Sequence, residues 1–222
     1  MRTMNKKAKT CPVLIFDFDG TIADTHQYII GISNRLAREF GYKHIAPEDV
    51  ENLKNKTARE VIGILKIPLL KVPGIISRAK KEFYEDIDSL RPFAGLADVL
   101  AEMKGRDIAM GILSSNDERN VRAFLRNHDL EGLFDFIHTT VKVWSKNTAL
   151  KDLMKKYGIP PDGAIYVGDE TRDITAARRL KTRVAAVTWG YNSAEVLAEH
   201  QPDFLLHHPE ELYKIITPCP QK

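Results

Sequence analysis

Two groups of carboxylates stand where short apolar runs end. Val13-Leu14-Ile15-Phe16 leads into Asp17-Phe18-Asp19-Gly20-Thr21, and Ala164–Val167 leads into Gly168-Asp169-Glu170-Thr171-Arg172-Asp173. The period of two in an extended chain puts Asp17 and Asp19 on one side, and Gly20 permits the turn that would project both into one pocket. A lone Asp after a strand is most simply a turn residue. The whole pentapeptide, however, is roughly a few-in-a-thousand accident at average residue frequencies. In the second group Asp169 would occupy the strand end, and Asp173 would face back from the first turn of a helix. Complementing the helix dipole, at about 0.3–1 kcal/mol, explains acids in that turn. It does not explain why they follow an apolar strand in a sheet that also ends in Asp17 and Asp19. Two carboxylates about 4 Å apart repel by around 4 kcal/mol at an effective dielectric of 20, and a third adds to that cost, so a cation is expected. With oxygen ligands and no cysteine or histidine in these motifs, Mg2+ is the natural ion, its octahedron completed by water and a substrate phosphate.

Two further strand ends offer groups for an anion. Ile108–Leu113 runs into Ser114-Ser115-Asn116 and then a helix beginning Asp117-Glu118. Ser115 and Glu118 have capping-box spacing, which gives Ser115 a structural task and leaves Ser114 free beside the amino end of a helix, where backbone N–H groups favour an anion. Lys146 precedes the helix after the third strand and would enter the same rim; Lys142 is a nearby rival that lies farther from the helix start.

The elements that must position these groups alternate. Apolar runs of strand length at Pro12–Asp17, Ile108–Leu113, Phe134–His138, Ala164–Val167 and Val184–Val187, with a weaker one at Asp203–Leu206, are separated by Asp117–Asn127, Thr148–Tyr157, Thr171–Leu180 and Ala194–Glu199, whose apolar residues recur at helical spacing. This pattern predicts an α/β fold, a Rossmann-like doubly wound parallel sheet whose ligand site lies at the carboxyl ends of its strands. One interval breaks the alternation. Between the first two strands lie about ninety residues that read as helices, including Tyr28–Phe40, Thr57–Leu65 and Ile75–Asp88. They predict an inserted helical cap domain at 24–91, set into an α/β core made of 1–23 and 92–222. Asp24 is expected to N-cap the first helix of the insert at its hinge.

The 222 residues are 43% apolar and 28% charged, which suits an ordinary globular protein and excludes disordered and fibrous classes. The net charge of +3 is too small to argue for nucleic acid or membrane as the main partner. The basic run Lys6, Lys7 and Lys9 reads as a solvated tail. Cys11 and Cys219 stand near opposite ends without metal-ligand spacing, so zinc and disulfide-framework readings both fail and a reducing cytoplasm fits best. No apolar run reaches the roughly 18 residues of a membrane span, nor does the N-terminus carry a secretory apolar stretch.

The ordered set Asp17-Phe18-Asp19-Gly20-Thr21, Ser114, Lys146 and Gly168-Asp169-Glu170-Thr171-Arg172-Asp173 resembles the four motifs of the haloacid dehalogenase superfamily. Gly111–Asn116, Tyr166–Glu170 and Val187–Asn192 are most similar to its phosphoglycolate phosphatase-like branch, and the insert resembles the cap of that branch. The resemblance implies a Mg2+-dependent phosphatase acting on a small phosphate monoester. Asp17 would attack phosphorus to form an aspartyl-phosphate, and Asp19 would protonate the leaving oxygen and later activate water. Ser114 and Lys146 would hold the phosphoryl oxygens. Metal would rest on the Asp17 side chain, the Asp19 carbonyl and Asp169, with Asp173 outside them or acting through water and Glu170 a further candidate. Thr21, Ser115, Asn116, Lys56 and Arg59 are the candidate substrate contacts, the last two reaching from the insert beside Lys54 and Thr57. Family members often carry Thr at the Ser114 position, and a Gly after the fourth-motif helix where this chain has Leu180-Lys181-Thr182. Dehalogenation is excluded, since it has no use for an acid at Asp19. A sugar-phosphate mutase and a regulatory module that holds phosphate on Asp17 without turnover are the alternatives. The expected partner is a small phosphate ester, with no nucleic acid and no membrane, and the chain is expected to be a cytoplasmic monomer or homodimer.

Overall fold

A computed structural model describes residues 11–140 and 146–216. The Lys6-Lys7-Lys9 run, Lys142 and Cys219 lie outside the described residues. Six strands, β1 (Val13–Phe16), β2 (Met110–Ser114), β3 (Phe136–Thr139), β4 (Ala164–Gly168), β5 (Arg183–Val187) and β6 (Phe204–Leu206), form one sheet in the order β3-β2-β1-β4-β5-β6. Every pairing is parallel. The doubly wound sheet read from the alternation is therefore present. The strand order turns around at β1, whose neighbours β2 and β4 run outward in opposite directions, and this is where such sheets open a crevice for a ligand.

The buried strands sort their side chains by the period of two. Leu14, Phe16, Met110, Ile112, Ile165 and Val167 pack on one face with helices α5 (Leu96–Gly105) and α6 (Glu118–Asn127). Val13, Ile15, Leu113, Tyr166 and Val184 pack on the other with α7 (Lys146–Tyr157), α8 (Thr171–Arg179) and α9 (Ala194–Glu199). A short last helix, α10 (Leu212–Ile215), returns to the first face. Helix α5 had no counterpart among the expected helices. Gly111 on β2 cannot carry a side chain, since a Cβ there would lie 2.0 Å from the Phe136 ring.

Between β1 and β2 the chain forms α1 (His26–Phe40), α2 (Val50–Lys54), α3 (Ala58–Ile64) and α4 (Val72–Glu85). Ile32, Leu36, Ala37, Tyr42 and Leu65 make a small apolar cluster of their own. Buried Glu82 of α4 joins this segment together, taking an Arg35 bond at 2.9 Å and a looser Arg78 contact at 3.4 Å. Phe83 reaches the core instead, edge-on to Phe18 at 6.4 Å. The chain leaves and re-enters the core side by side, with Asp24 N–H donating to Arg91 at 2.9 Å and Ala23 bridged to Pro92.

Several local expectations fail. Asp24 is not the N-cap of α1; Thr25 holds that place, and its hydroxyl lies 3.3 Å from the Tyr191 hydroxyl. Ser115 closes no capping box, because α6 starts two residues later than that spacing requires, with Asp117 as N-cap. Cys11 is disulfide-bonded, so disulfides cannot be dismissed for this chain. Among the described residues no helix is long and apolar enough to cross a membrane.

The turn after α8 keeps the glycine-type geometry without glycine. Lys181 lies at φ 57°, with its N–H on Arg178 and the Thr182 N–H on Ala177, the double bond of a Schellman helix end. An L-residue costs about 1–2 kcal/mol in that region, part of which glycine returns through its larger unfolded-state entropy. Lys181→Gly is therefore expected to stabilise the protein by about 0.5–1 kcal/mol, seen as a higher urea midpoint at unchanged slope. An unchanged or lower midpoint would contradict this account.

Candidate active site

The sheet brings the separated motifs to one rim. β1 ends at Phe16 and remains paired with β4 for one residue more, since the Asp17 N–H donates to Val167 at 2.8 Å. The chain then coils once, with Thr21, Ile22 and Ala23 all donating to the Phe18 carbonyl. Gly20 makes the coil possible: it sits at φ 76°, and a Cβ would lie 2.2 Å from an Asp169 oxygen. On one side the register Phe16↔Ile112 carries Ser114 level with this turn. On the other, Phe16↔Val167 carries Asp169 there.

Asp17 is 4% exposed. One of its oxygens accepts from the Phe18 N–H at 2.8 Å and the other from Lys146 Nζ at 2.5 Å. Lys146 also contacts Asp173, so one ammonium bridges acids from the first and fourth motifs. Its ammonium lies over the Tyr166 ring, with Nζ 5.5 Å from the centroid. Burial opposes charge on Lys146, but Asp17 and Asp173 outweigh it and raise its pKa above the usual value.

Asp169 and Asp173 are fully buried. Both Asp169 oxygens are taken, one by the Thr21 hydroxyl at 2.7 Å and one by the Tyr191 N–H at 2.8 Å. Thr21 was expected on the substrate; its hydroxyl instead orients this acid. Asp173 accepts the Glu170 N–H at 3.0 Å, so it also serves the helix start that its position first suggested. Burial is the main reason both acids have raised pKa values. For Asp169 the charges of Glu170, Asp17 and Asp173 add to it; for Asp173, Lys146 partly compensates and the result is about 6. Asp19 keeps some exposure and faces an amide, Asn116 Nδ2 at 3.3 and 3.5 Å. Burial and then the charge of Asp17 push it up to about 7.

The remaining candidates divide. Ser114 is buried, and its Oγ accepts the Asn116 N–H at 2.9 Å, leaving the hydroxyl hydrogen to donate. Asn116 is buried and its side chain is engaged with protein on every side, while Ser115 is partly exposed at the rim. Lys56, just before the Thr57–Glu60 capping box of α3, and Arg59, within it, are both exposed. The α1–α4 segment touches this rim at the end of α2, among other places, where Asn192 Nδ2 donates to the Lys54 carbonyl at 2.6 Å and Ser193 N–H donates to Asn55 at 3.0 Å.

Three contributors were not anticipated. The loop after β5 braces the acids: Trp189 Nε1 holds the Thr21 carbonyl at 3.1 Å, and the Asn192 side chain accepts the Thr171 N–H at 2.8 Å. Gly190 lets this loop close in, since a Cβ would lie 2.3 Å from the Gly20 carbonyl. Arg172 pairs with Glu170 at 2.5 Å and lowers the acidity cost at Asp19 and Asp173. Asn120 is a buried polar residue on the face of α6 that carries Val121 and Phe124; that break in an apolar stripe was its visible signal.

Asp17, Asp169 and Asp173 each offer a carboxylate oxygen within 4.8 Å of the others. At that spacing two full charges repel by about 3.5 kcal/mol at an effective dielectric of 20. Lys146 is shared, and Arg172 is drawn off by Glu170. A buried, oxygen-only donor set with this surplus of negative charge fits a hard divalent cation.

The profile of the haloacid dehalogenase-like hydrolase family matches residues 14–187, a stretch that holds Asp17, Ser114, Lys146 and Asp173. The chain belongs to that family. It is 35% identical over 204 residues to the phosphoglycolate phosphatase of Synechococcus elongatus, covering 92% of this chain and 96% of that one. It is 26% identical over 211 residues to the pyrophosphatase PpaX of Oceanobacillus iheyensis, covering 92% and 94%. A haloacid dehalogenase-like hydrolase from Streptococcus pneumoniae shares the fold, with a TM-score of 0.80 at 19% identity over 93% of this chain and 99% of that one. The chain falls in the phosphoglycolate phosphatase-like branch and is a phosphatase, a phosphoric monoester hydrolase.

The raised acids of this phosphatase have a measurable consequence. Without metal, folded Asp19 at about 7 holds a proton that an unfolded carboxyl, near 3.8, has lost. Its contribution to stability is therefore fully present below the lower value and lost as pH rises through the higher one. In a chelator, Asp19→Asn, which cannot titrate, is expected to gain in unfolding midpoint relative to the wild type between about pH 5 and about pH 8. Saturating Mg2+ should stabilise the wild type more at the upper end of that range than at the lower. A difference that stays flat, or that shrinks as pH rises, would refute the electrostatic account.

Proposed function

We propose that this phosphatase hydrolyses a small phosphate monoester of the phosphoglycolate class through an aspartyl-phosphate on Asp17, with Asp19 as general acid and base and Mg2+ as cofactor. The observation that carries the reading is the division of partners on one turn. Asp17 is bonded to an ammonium and a backbone N–H, which keep a carboxylate aligned as a nucleophile. Asp19, two residues on, faces only a neutral amide among its described side-chain bonds, which suits a group that must gain and lose a proton.

In the first step an Asp17 oxygen bonds phosphorus while the ester P–O bond breaks, and the departing oxygen takes its proton from Asp19. In the second, Asp19 accepts a proton from water as the water oxygen bonds phosphorus, and the bond to Asp17 breaks to release phosphate. Splitting one displacement into two lowers each barrier. The Ser114 hydroxyl and Lys146 hold the phosphoryl oxygens, positioning that accounts for most of phosphoryl-transfer catalysis. Mg2+, held by the Asp17 side chain, the Asp19 carbonyl and Asp169 with Asp173 bracing them, supplies charge neutralisation for the acids and the phosphoryl group. The segment 24–91 acts as a cap over a core of 1–23 and 92–222. Lys54, Lys56 and Arg59 can then meet a second anionic group of the substrate, and Ser115 lines the rim. A cap that meets the rim at Asn192 and Ser193 also sequesters the reaction from water.

A panel of phosphoglycolate, alkyl phosphates, sugar phosphates and pyrophosphate, assayed for phosphate release with Mg2+, tests the reading. Asp17→Asn is expected to lower every rate by more than about 10³-fold, as loss of a covalent nucleophile does. Equal rates for the two proteins would remove the mechanism. Isomer formation from a sugar phosphate without phosphate release would make the chain a mutase. Stable labelling of Asp17 without turnover would make it a regulatory module.

A further inference from the structure

A line of buried amides runs from the α1–α4 segment to Asp19. Asn120 is 2% exposed and Asn116 is 7% exposed. Asn120 Nδ2 uses both its hydrogens, one on the Lys80 carbonyl of α4 at 3.0 Å and one on Asn116 Oδ1 at 3.0 Å. Asn116 Oδ1 accepts a second bond from the Asp117 N–H at 2.8 Å. With two donors fixing its oxygen, the Asn116 amide can present only Nδ2 to Asp19. That last contact is long, at 3.3 and 3.5 Å, so it depends on how the amide is turned. Lys80 adds a second tie from α4, pairing with Asp117 at 2.8 Å.

We infer that Asn120 is a positioning residue for the hydrolysis: it locks the Asn116 amide toward Asp19 and makes the aim of that carboxyl depend on where α4 sits. The inference rests on Asp19 acting as the acid of the first step. Remove the Asn120 donor, and Asn116 keeps one bond on its oxygen instead of two, so the amide is free to rotate. Asp19 then delivers its proton less well while Asp17, Lys146 and the metal acids keep their own bonds.

Leaving-group dependence separates this from general damage. An alkyl phosphate needs its departing oxygen protonated, whereas para-nitrophenyl phosphate releases an anion that is stable without a proton. Asn120→Leu keeps the side chain's branched shape and removes the donor. With saturating Mg2+, its kcat/KM, which reports only the steps through phosphorylation of Asp17, is expected to fall by about 10-fold on an alkyl phosphate, a fraction of the roughly 10²–10⁴-fold that positioned proton transfer contributes, and to stay nearly unchanged on para-nitrophenyl phosphate. Asn120→Ala should show the same selectivity and serves if the leucine variant does not fold. Combined with Asn116→Ala, either change should add little further selectivity, since both break one chain of bonds. Equal losses of kcat/KM on the two substrates, or full additivity with Asn116→Ala, would overturn the inference. Asp19→Asn is the control: if it shows selectivity and Asn120→Leu does not, only the positioning role fails. If Asp19→Asn shows none, the acid role assigned to Asp19 fails first.

Discussion

Unbalanced negative charge at the carboxyl edge of the sheet is the constraint that the rest of the molecule answers. Asp17, Asp169 and Asp173 are buried within 4.8 Å of one another, and the ammonium that touches two of them is Lys146. Burial favours protonating Asp169 and Asp173. The fold instead surrounds all three acids with N–H and O–H donors: Phe18 N–H on Asp17, Thr21 and Tyr191 on Asp169, Glu170 N–H on Asp173. These bonds fix the direction of each carboxylate but supply too little charge to neutralise the group. The arrangement could hold a metal ion, whose charge would relieve the remaining repulsion.

Glycines and loops follow from that requirement. Acids from β1 and β4 can converge only if the backbones between them come close, which is why Gly20 and Gly190 meet with no room for a Cβ on either. The loop after β5 then holds both, with Trp189 on the Thr21 carbonyl and Asn192 on the first turn of α8. Substitution at either glycine would disturb the acids by displacing Asp169 directly.

The legible parts of the sequence were those written in local patterns. Six apolar runs and their alternation with amphipathic stretches gave the sheet, and the motifs at their ends gave Asp17, Asp19, Ser114, Lys146, Asp169 and Asp173 at one rim. What stayed hidden was set by contacts distant along the chain. Thr21 looks like a phosphate ligand until Asp169, 148 residues away, is seen to take its hydroxyl. Thr25 displaces Asp24 as the α1 cap because the chain crosses back at Arg91. Ser115 loses its capping task to a two-residue shift in helix start, within the usual uncertainty of helix ends. Asn120 and Asn192 bond two segments each, and such roles have no signature in spacing.

The two asparagines also bear on how a cap could control chemistry. Each donates to a carbonyl of the α1–α4 segment, Asn120 to Lys80 and Asn192 to Lys54. Each at the same time bonds a strand-end loop of the core, the first beside Asp19 through Asn116 and the second beside Asp173 through Thr171. Carbonyl acceptors on helix backbones do not rotate away as side chains do, so these bonds register the position of whole helices. The backbone crossing at Ala23–Asp24 and Arg91–Pro92 and the contact of Phe83 with Phe18 hold the same segment against the core. The positions of α2 and α4 therefore bear on both sides of the acid cluster, through Asn192 at the first turn of α8 and through Asn120 at Asn116.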